Sequence, residues 1–322
     1  MTPPTAQATA STAPGRRAAT LAVALLLALV GALLPAPAQA QSTWTPADQA
    51  TIRPGAELLS QSGQCTANFV FTDGNDVLIG SAAHCTGIGG ATDTDGCQAG
   101  SLPLGSPIEI EGAQYPGSLA YSSWLTMGQR GERDANTCAY NDFALIRVDS
   151  RDHARVNPTI PHWGGPVALG STSTTMERVY SYGNSSLRAG LELLKPKTGY
   201  SLGQGGGGWT HTVYTATPGI PGDSGSAFLD SQGRALGTLS TLALAPVALS
   251  NGVSDLALAL DYADRFSALS PRLATGTEPF NGDRLPVGGI GVLGQGTSTV
   301  GAPSVSVEVG YRVLGREGTI RF

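Results

Sequence analysis

Charged side chains are scarce in this sequence. Asp, Glu, Lys and Arg make up 13% of its 322 residues, and the net charge is only −5. There is no basic run and no cluster mixing basic with aromatic residues, so the footprint expected of a nucleic-acid partner is missing. Tight Cys-x-x-Cys pairs are missing too. His84 abuts Cys85, but no second histidine stands at ligand spacing, and no metal site is expected. The glycine-rich run at residues 204–208 is not followed by Gly-Lys-Ser/Thr, which removes the phosphate-cradle reading and leaves a flexible loop. Internal repeats are absent and no cofactor motif occurs, so no cofactor is expected. Beyond the N-terminal region there is no long apolar run, and the mature chain is expected to stand clear of membranes.

What the chain does have is glycine, 44 residues against an ordinary share of about 7%. Many glycines with few charges point to a turn-rich, all-β domain. Short apolar strings at residues 68–71, 77–80, 108–110, 143–148, 178–182 and 235–242 read as strands between turn clusters, which indicates a sandwich or barrel. Residues 256–260 read as a further strand, and residues 261–269 have helical spacing, the one helix expected in the mature domain.

The first forty residues read as an export signal: Arg16 and Arg17, an apolar stretch from Ala18 to Leu34, then Ala38-Gln39-Ala40 as a cleavage site. A membrane anchor is the alternative, set aside because Pro35, Pro37 and the small residues follow at once. Residues 41–51 form a short lead-in or propeptide, and residues 52–270 the main domain. Residues 271–322 are a Gly/Ser/Pro-rich extension, expected to be a strand-bearing appendage or a mobile tail, with one alternating stretch at 304–313. A secreted monomer is expected. Four cysteines, Cys65, Cys85, Cys97 and Cys138, allow three disulfide pairings, a reading that suits an exported chain better than zinc.

Three motifs carry chemistry. In Gly222-Asp223-Ser224-Gly225-Ser226 a serine lies between glycines that permit a tight turn, so that the amides of Gly222 and Ser224 can both point at a carbonyl oxygen. In Ser81-Ala82-Ala83-His84-Cys85 small residues end an apolar strand and let an imidazole project. His153, His162 and His211 lack that setting and read as structural or surface residues. Asn141-Asp142 stands directly before an apolar strand, where a carboxylate without a partner would be costly. Read singly, each motif also fits a plain turn, a packed histidine or a strand-initiating acid.

Together they run in the order His, Asp, Ser, which is not the order of α/β-hydrolases. From Ile52 to Ala268 the chain resembles the chymotrypsin/trypsin-like serine peptidases, most of all their bacterial, streptogrisin-like branch. The resemblance implies two antiparallel six-stranded β-barrels, a C-terminal helix and a cleft where His84, Asp142 and Ser224 act as a catalytic triad. It also implies an oxyanion hole at Gly222 and Ser224, and disulfides Cys65–Cys85 and Cys97–Cys138. Ser240, Thr241 and Leu242 would pair with extended peptide substrate, Ser240 also supporting Asp142. Asn251-Gly252-Val253 would close the specificity pocket, Asp255 being near enough to point inward. A buried Asp223 is expected to face a cation, an internal arginine in this branch rather than a freshly cut amine at Ile52.

Pro218, six residues before Ser224, stands where trypsin-type enzymes place an acid, and Leu242 narrows the entrance. Leu239 replaces the histidine of glutamate-specific relatives. The implied function is secreted endopeptidase, not selective for Lys or Arg. The competing readings are a non-catalytic secreted binding protein on the same fold and, third, a lipase or esterase. Ser226, the short lead-in and the long C-terminal extension depart from the family pattern.

Overall fold

A computed structural model describes residues 44–89, 95–242 and 248–285, with the backbone of 308–313 and 316–321. The proposed export signal at 1–40 and residues 304–307 of the alternating stretch lie outside the described residues.

The first half of the chain contributes β1 (Glu57–Ser60), β2 (Gly63–Thr66), β3 (Val70–Asp73), β4 (Asp76–Ser81), β5 (Pro107–Ile110), β6 (Gly117–Ser122) and β7 (Ala144–Arg147), in the spatial order β3-β4-β7-β6-β5-β1-β2. The two ends of this order are consecutive in sequence. Between them the Ala67 amide bonds Ala56 (2.8 Å) and the Asn68 amide bonds Gly80 (2.8 Å), so β2 and β3 act as one bent strand that curls the sheet into a barrel.

The apolar runs of β3, β4 and β7 do not alternate with polar residues because both of their faces are buried. Val70, Val77, Ile79 and Ile146 fill the barrel interior. Their neighbours Phe71, Leu78 and Leu145 point the other way, into the core between the two halves. Each such side chain contributes about 1.5–3 kcal/mol on burial. Where only one face is buried the alternation returns: in β5, Ile108 and Ile110 are buried while Pro107 and Glu109 are exposed.

The second half forms a closed barrel from β8 (Arg178–Tyr182), β9 (Pro196–Gly205), β10 (Thr210–Thr215), β11 (Ala227–Leu229), β12 (Ala235–Leu242) and β13 (Asn251–Asp255), in the order β10-β13-β12-β11-β8-β9. Val179, Val213, Phe228, Leu236, Leu239 and Val253 pack its interior. The all-β, two-barrel expectation therefore holds.

The helices correct the sequence reading. Besides the C-terminal one there are α1 (Ser123–Arg130), whose first turn is capped by Ser122, and α2 (Ala135–Tyr140), capped by Asp134. Residues 256–260 are not a strand but the start of α3 (Leu256–Phe266). The Asp255 carboxylate accepts from the Leu258 amide at 2.8 Å and opens the helix there. Buried Leu256, Ala259, Leu260 and Ala263 then fall on one helical face.

The first part of the C-terminal extension is a strap, not a mobile tail. Arg272–Leu273 (β14) pairs with β3, and the Ala274 amide bonds Val70 at 2.9 Å. Thr277 then contacts Asn157 (2.8 Å) and Thr159 (3.1 Å) on the segment linking the barrels. The Asn281 amide bonds Trp163 (2.8 Å), and the Phe280 ring stacks edge-on against Tyr180 of the second barrel with centroids 5.1 Å apart. Glu308–Val313 (β15) and Arg316–Arg321 (β16) pair as an antiparallel hairpin.

Candidate active site

His84 lies in the 3₁₀ turn Ala83–Thr86 that follows β4. Ala82 and Ala83 are fully buried, and the imidazole, 27% exposed, projects into the cleft. A disulfide, Cys65–Cys85, ties this turn to β2, and a second, Cys97–Cys138, joins the segment after it to α2. Both pairings match the expectation. Closing loops of 20 and 41 residues, they stabilise by roughly 3 and 4 kcal/mol in the chain-entropy description.

Asp142 precedes β7 and is 4% exposed. Its Oδ2 receives the His84 Nδ1 at 2.7 Å and the Ser240 hydroxyl at 2.6 Å, while Oδ1 accepts the His84 amide at 2.9 Å. Burial acts to raise this carboxyl, but the His84 charge and hydrogen bond, together with the Ser240 hydroxyl, hold it below the ordinary carboxylate value. Burial likewise acts to lower His84, and the Asp142 charge and hydrogen bond outweigh it, holding the imidazole above its usual 6.5. The Asp142 amide donates to Ser254 Oγ at 3.3 Å, so β12 and β13 of the second barrel both grip an acid that belongs to the first.

Ser224 sits in the turn before β11, half-exposed at the barrel interface. Its carbonyl accepts the Thr66 amide of β2 at 2.8 Å, and the Gly225 amide donates to Leu239 at 2.8 Å. Gly225 has φ +89°, and a Cβ there would lie 2.3 Å from Ser81 Oγ and 2.4 Å from the Thr66 carbonyl, so the turn presses against the His84 side of the cleft. Among the described residues no hydrogen bond joins the Ser224 hydroxyl to His84. Such bonds are often loose without substrate. The Gly222 and Ser224 amides have no acceptor among the described residues, while Asp223 between them donates to Ile220 at 2.9 Å. Gly222 holds φ +94°, a left-handed conformation that glycine adopts without strain.

Asp223 is fully buried and faces two cations: Arg188 Nη2 at 2.6 Å and Lys197 Nζ at 3.0 Å. Burial acts to raise its carboxyl, and the Lys197 charge and Arg188 hydrogen bond hold it low. Its oxygens also accept the amides of Ser185 (3.0 Å) and Ile220 (3.2 Å), fixing the turn from both sides. The internal arginine is present; the lysine beside it is new. Ile52 is fully buried and its amide bonds Arg155 at 3.0 Å, away from this cluster.

Around the crevice that the resemblance places between Pro218 and Leu242, residues whose roles the sequence did not reveal make the contacts. The Asn251 side chain bridges both walls: Oδ1 accepts the Gly219 amide (2.8 Å) and Nδ2 donates to the Thr241 carbonyl (3.1 Å). Arg188 Nη2 donates to the Pro218 carbonyl at 2.9 Å. Asp255 does not point into the crevice. It caps α3 and receives the Nε2 of fully buried His211 at 2.9 Å, and Ser173 holds the other ring nitrogen at 2.8 Å. His211 thus ties β10 to β13.

Two antiparallel β-barrels followed by a C-terminal helix have the architecture of the chymotrypsin-like class of fold, with the bonded His84–Asp142 pair at their seam. No protein-family model matches the chain, and no curated protein matches it. Among solved structures, Thermobifida fusca protease A is similar over 70% of this chain and 100% of its own, at 16% identity and a TM-score of 0.46. A glutamic-acid-specific serine protease with a histidine triad in substrate binding is similar over 69% of this chain and 100% of its own, at 16% identity and a TM-score of 0.45. Cellulomonas bogoriensis chymotrypsin gives 69% and 98%, with 14% identity and a TM-score of 0.43. At these identities the likeness concerns fold, and activity must be read from the site itself.

Proposed function

We propose that the chain is an exported serine endopeptidase whose export signal is residues 1–40. The observation that carries this reading is the fully engaged Asp142 carboxylate, bonded at once to the His84 ring, the His84 amide and Ser240. Among the described residues that arrangement leaves Nε2 without a partner on an imidazole aimed by Asp142, beside a serine turn with two unengaged amides. Ser224 attacks the scissile carbonyl, and His84 takes its proton and passes it to the leaving amine. Asp142 fixes the tautomer, and the Gly222 and Ser224 amides receive the oxyanion. The Ser240–Leu242 edge of β12, bonded to β13 on one side, offers its other side to an extended peptide. Two disulfides suit an oxidising compartment.

The preferred residue before the scissile bond is small or apolar. The Asn251 side chain bridges Gly219 and Thr241, Pro218 offers no carboxylate, and the Arg188 guanidinium at the Pro218 carbonyl disfavours a basic side chain. The deciding experiment is labelling by a fluorophosphonate together with peptide-library digestion. Wild type should be labelled at Ser224 and cut after Ala, Val or Leu faster than after Arg. Ser224→Ala and His84→Ala should each lose nearly all activity, with little further loss in combination. An active Ser224→Ala protein would overturn Ser224 as the nucleophile, whereas a wild type that neither labels nor cleaves would favour the non-catalytic binding protein.

A further inference from the structure

Neutralising Asp223 needs one cation, and Arg188 supplies it through a 2.6 Å bond with the guanidinium nearly buried. Lys197 is a second cation at the same carboxylate, with no exposed surface at all. It stands in the interior of β9 opposite Ser181 of β8. Gly183 leaves the space in which the charges meet: a Cβ there would lie 2.3 Å from Asp223 Oδ1 and 2.8 Å from Lys197 Cε. Nζ approaches Oδ2 to 3.0 Å without the alignment of a hydrogen bond. Desolvating a third charge is expensive, and a buried apolar residue of similar size would hold the barrel as well. The cluster of one acid and two cations carries a net positive charge when Lys197 is protonated. That charge lies directly behind the turn that presents the Gly222 and Ser224 amides.

We propose that Lys197 is a positioning residue for the oxyanion: its ammonium leaves a buried net positive charge behind the Gly222 and Ser224 amides and braces the Asp223 turn that aims them. This deepens the peptidase reading and rests on it. The charge of Lys197, unlike that of Arg188, is switchable. Burial pushes the amine down from 10.5 to about 8, with Asp223 opposing and Arg188 reinforcing the shift. Those two are the charged groups bearing on it among the described residues. Activity should therefore be bounded on the acid side by His84 and on the alkaline side by Lys197.

Stability moves the other way. Between about 8 and 10.5 the unfolded chain binds a proton at this lysine and the folded chain does not, so this group's contribution to stability rises with pH across that window. An alkaline loss of activity in this window is thus separable from unfolding.

The chain has only two lysines, Lys195 and Lys197, which makes the test direct. In protein labelled with ¹³C at lysine Cε, one of two resonances should titrate together with the alkaline limb of kcat. In Lys197→Met that limb should vanish and kcat should fall roughly tenfold, less than the ~10²–10³ of losing an oxyanion donor outright. KM and the acid limb should stay near wild type. Lys197→Arg, permanently charged, should restore kcat and carry activity past pH 10. Wild-type kcat with an intact alkaline limb in Lys197→Met would overturn the proposal. So would a buried lysine signal that ignores the limb, a result wild type yields even if the variants fail to fold. Wild type that neither cleaves peptides nor labels at Ser224 would sink the peptidase reading as well, an outcome distinct from an active enzyme indifferent to Lys197.

Discussion

Two buried carboxylates flank the nucleophile, and they differ in the company they keep. The Asp142 carboxylate faces an imidazole, which gains and loses a proton near neutral pH, and one hydroxyl that donates to it. Asp223 faces a guanidinium that never deprotonates and an ammonium buried beside it. The first setting steers a proton through His84. The second holds a loop in shape around the permanent charge of Arg188. Both acids are pulled below the ordinary carboxylate value, so direction of shift alone does not distinguish a proton-handling site from a scaffold. The partner does.

The largest effect should come from disturbing the proton-handling end. Asp142→Asn should lower kcat by about 10⁴ through loss of the correct imidazole tautomer. Without the carboxylate that raises His84, the acid limb of the pH profile should move to lower pH. In wild type that limb lies above pH 6.5, because activity needs the neutral ring. Asp142→Asn with unchanged kcat would dissolve the contrast between the two acids.

The scaffold end should respond in stability first. Arg188→Met should reduce unfolding free energy by roughly 3 kcal/mol, at the lower end of the ~3–5 kcal/mol for breaking a buried ion pair, because Lys197 still faces Asp223. Denaturant midpoints would measure it. A midpoint equal to wild type would mean that Arg188 is not a structural partner.

Ser240→Ala should have the smallest effect. It removes one hydrogen bond to an ionised carboxylate, worth about 1.5 kcal/mol, or roughly tenfold in kcat if the whole bond acts in the transition state. A thousandfold loss would show that Ser240 touches substrate as well.

Much of this was legible in sequence because each motif joins chemistry to a local constraint. Ala82-Ala83-His84 announces a projecting ring, Gly222 and Gly225 a left-handed turn, and the runs around Ile79 and Ile146 strands buried on two faces. What was missed has a common cause: it depends on partners distant in the chain. Leu256 to Leu260 alternates Leu with Ala and so fits a period of two as well as a helix. The cap that decides is Asp255, whose carboxylate bonds Leu258. Ser122 and Asp134 likewise open α1 and α2 inside short polar stretches with little periodicity. Lys197, between a proline and a threonine, carries no local sign of burial, and β9 turns it inward against Asp223. Asn251 looked like part of a closing segment, and its bridging role needs Gly219 and Thr241 in place on either side.

The strap at residues 272–285 also bears on biosynthesis. The residues of both barrels are synthesised before Ala274, Thr277 and Phe280, and these three contact the first barrel, the linker and the second barrel in turn. Until the strap arrives, the Val70 carbonyl lacks the Ala274 amide that it accepts in the finished fold, and Tyr180 lacks the ring that covers it. A chain stalled or clipped before Thr277 would carry every proposed catalytic residue yet lack the contacts that Thr277 and Phe280 make to the linker and the second barrel.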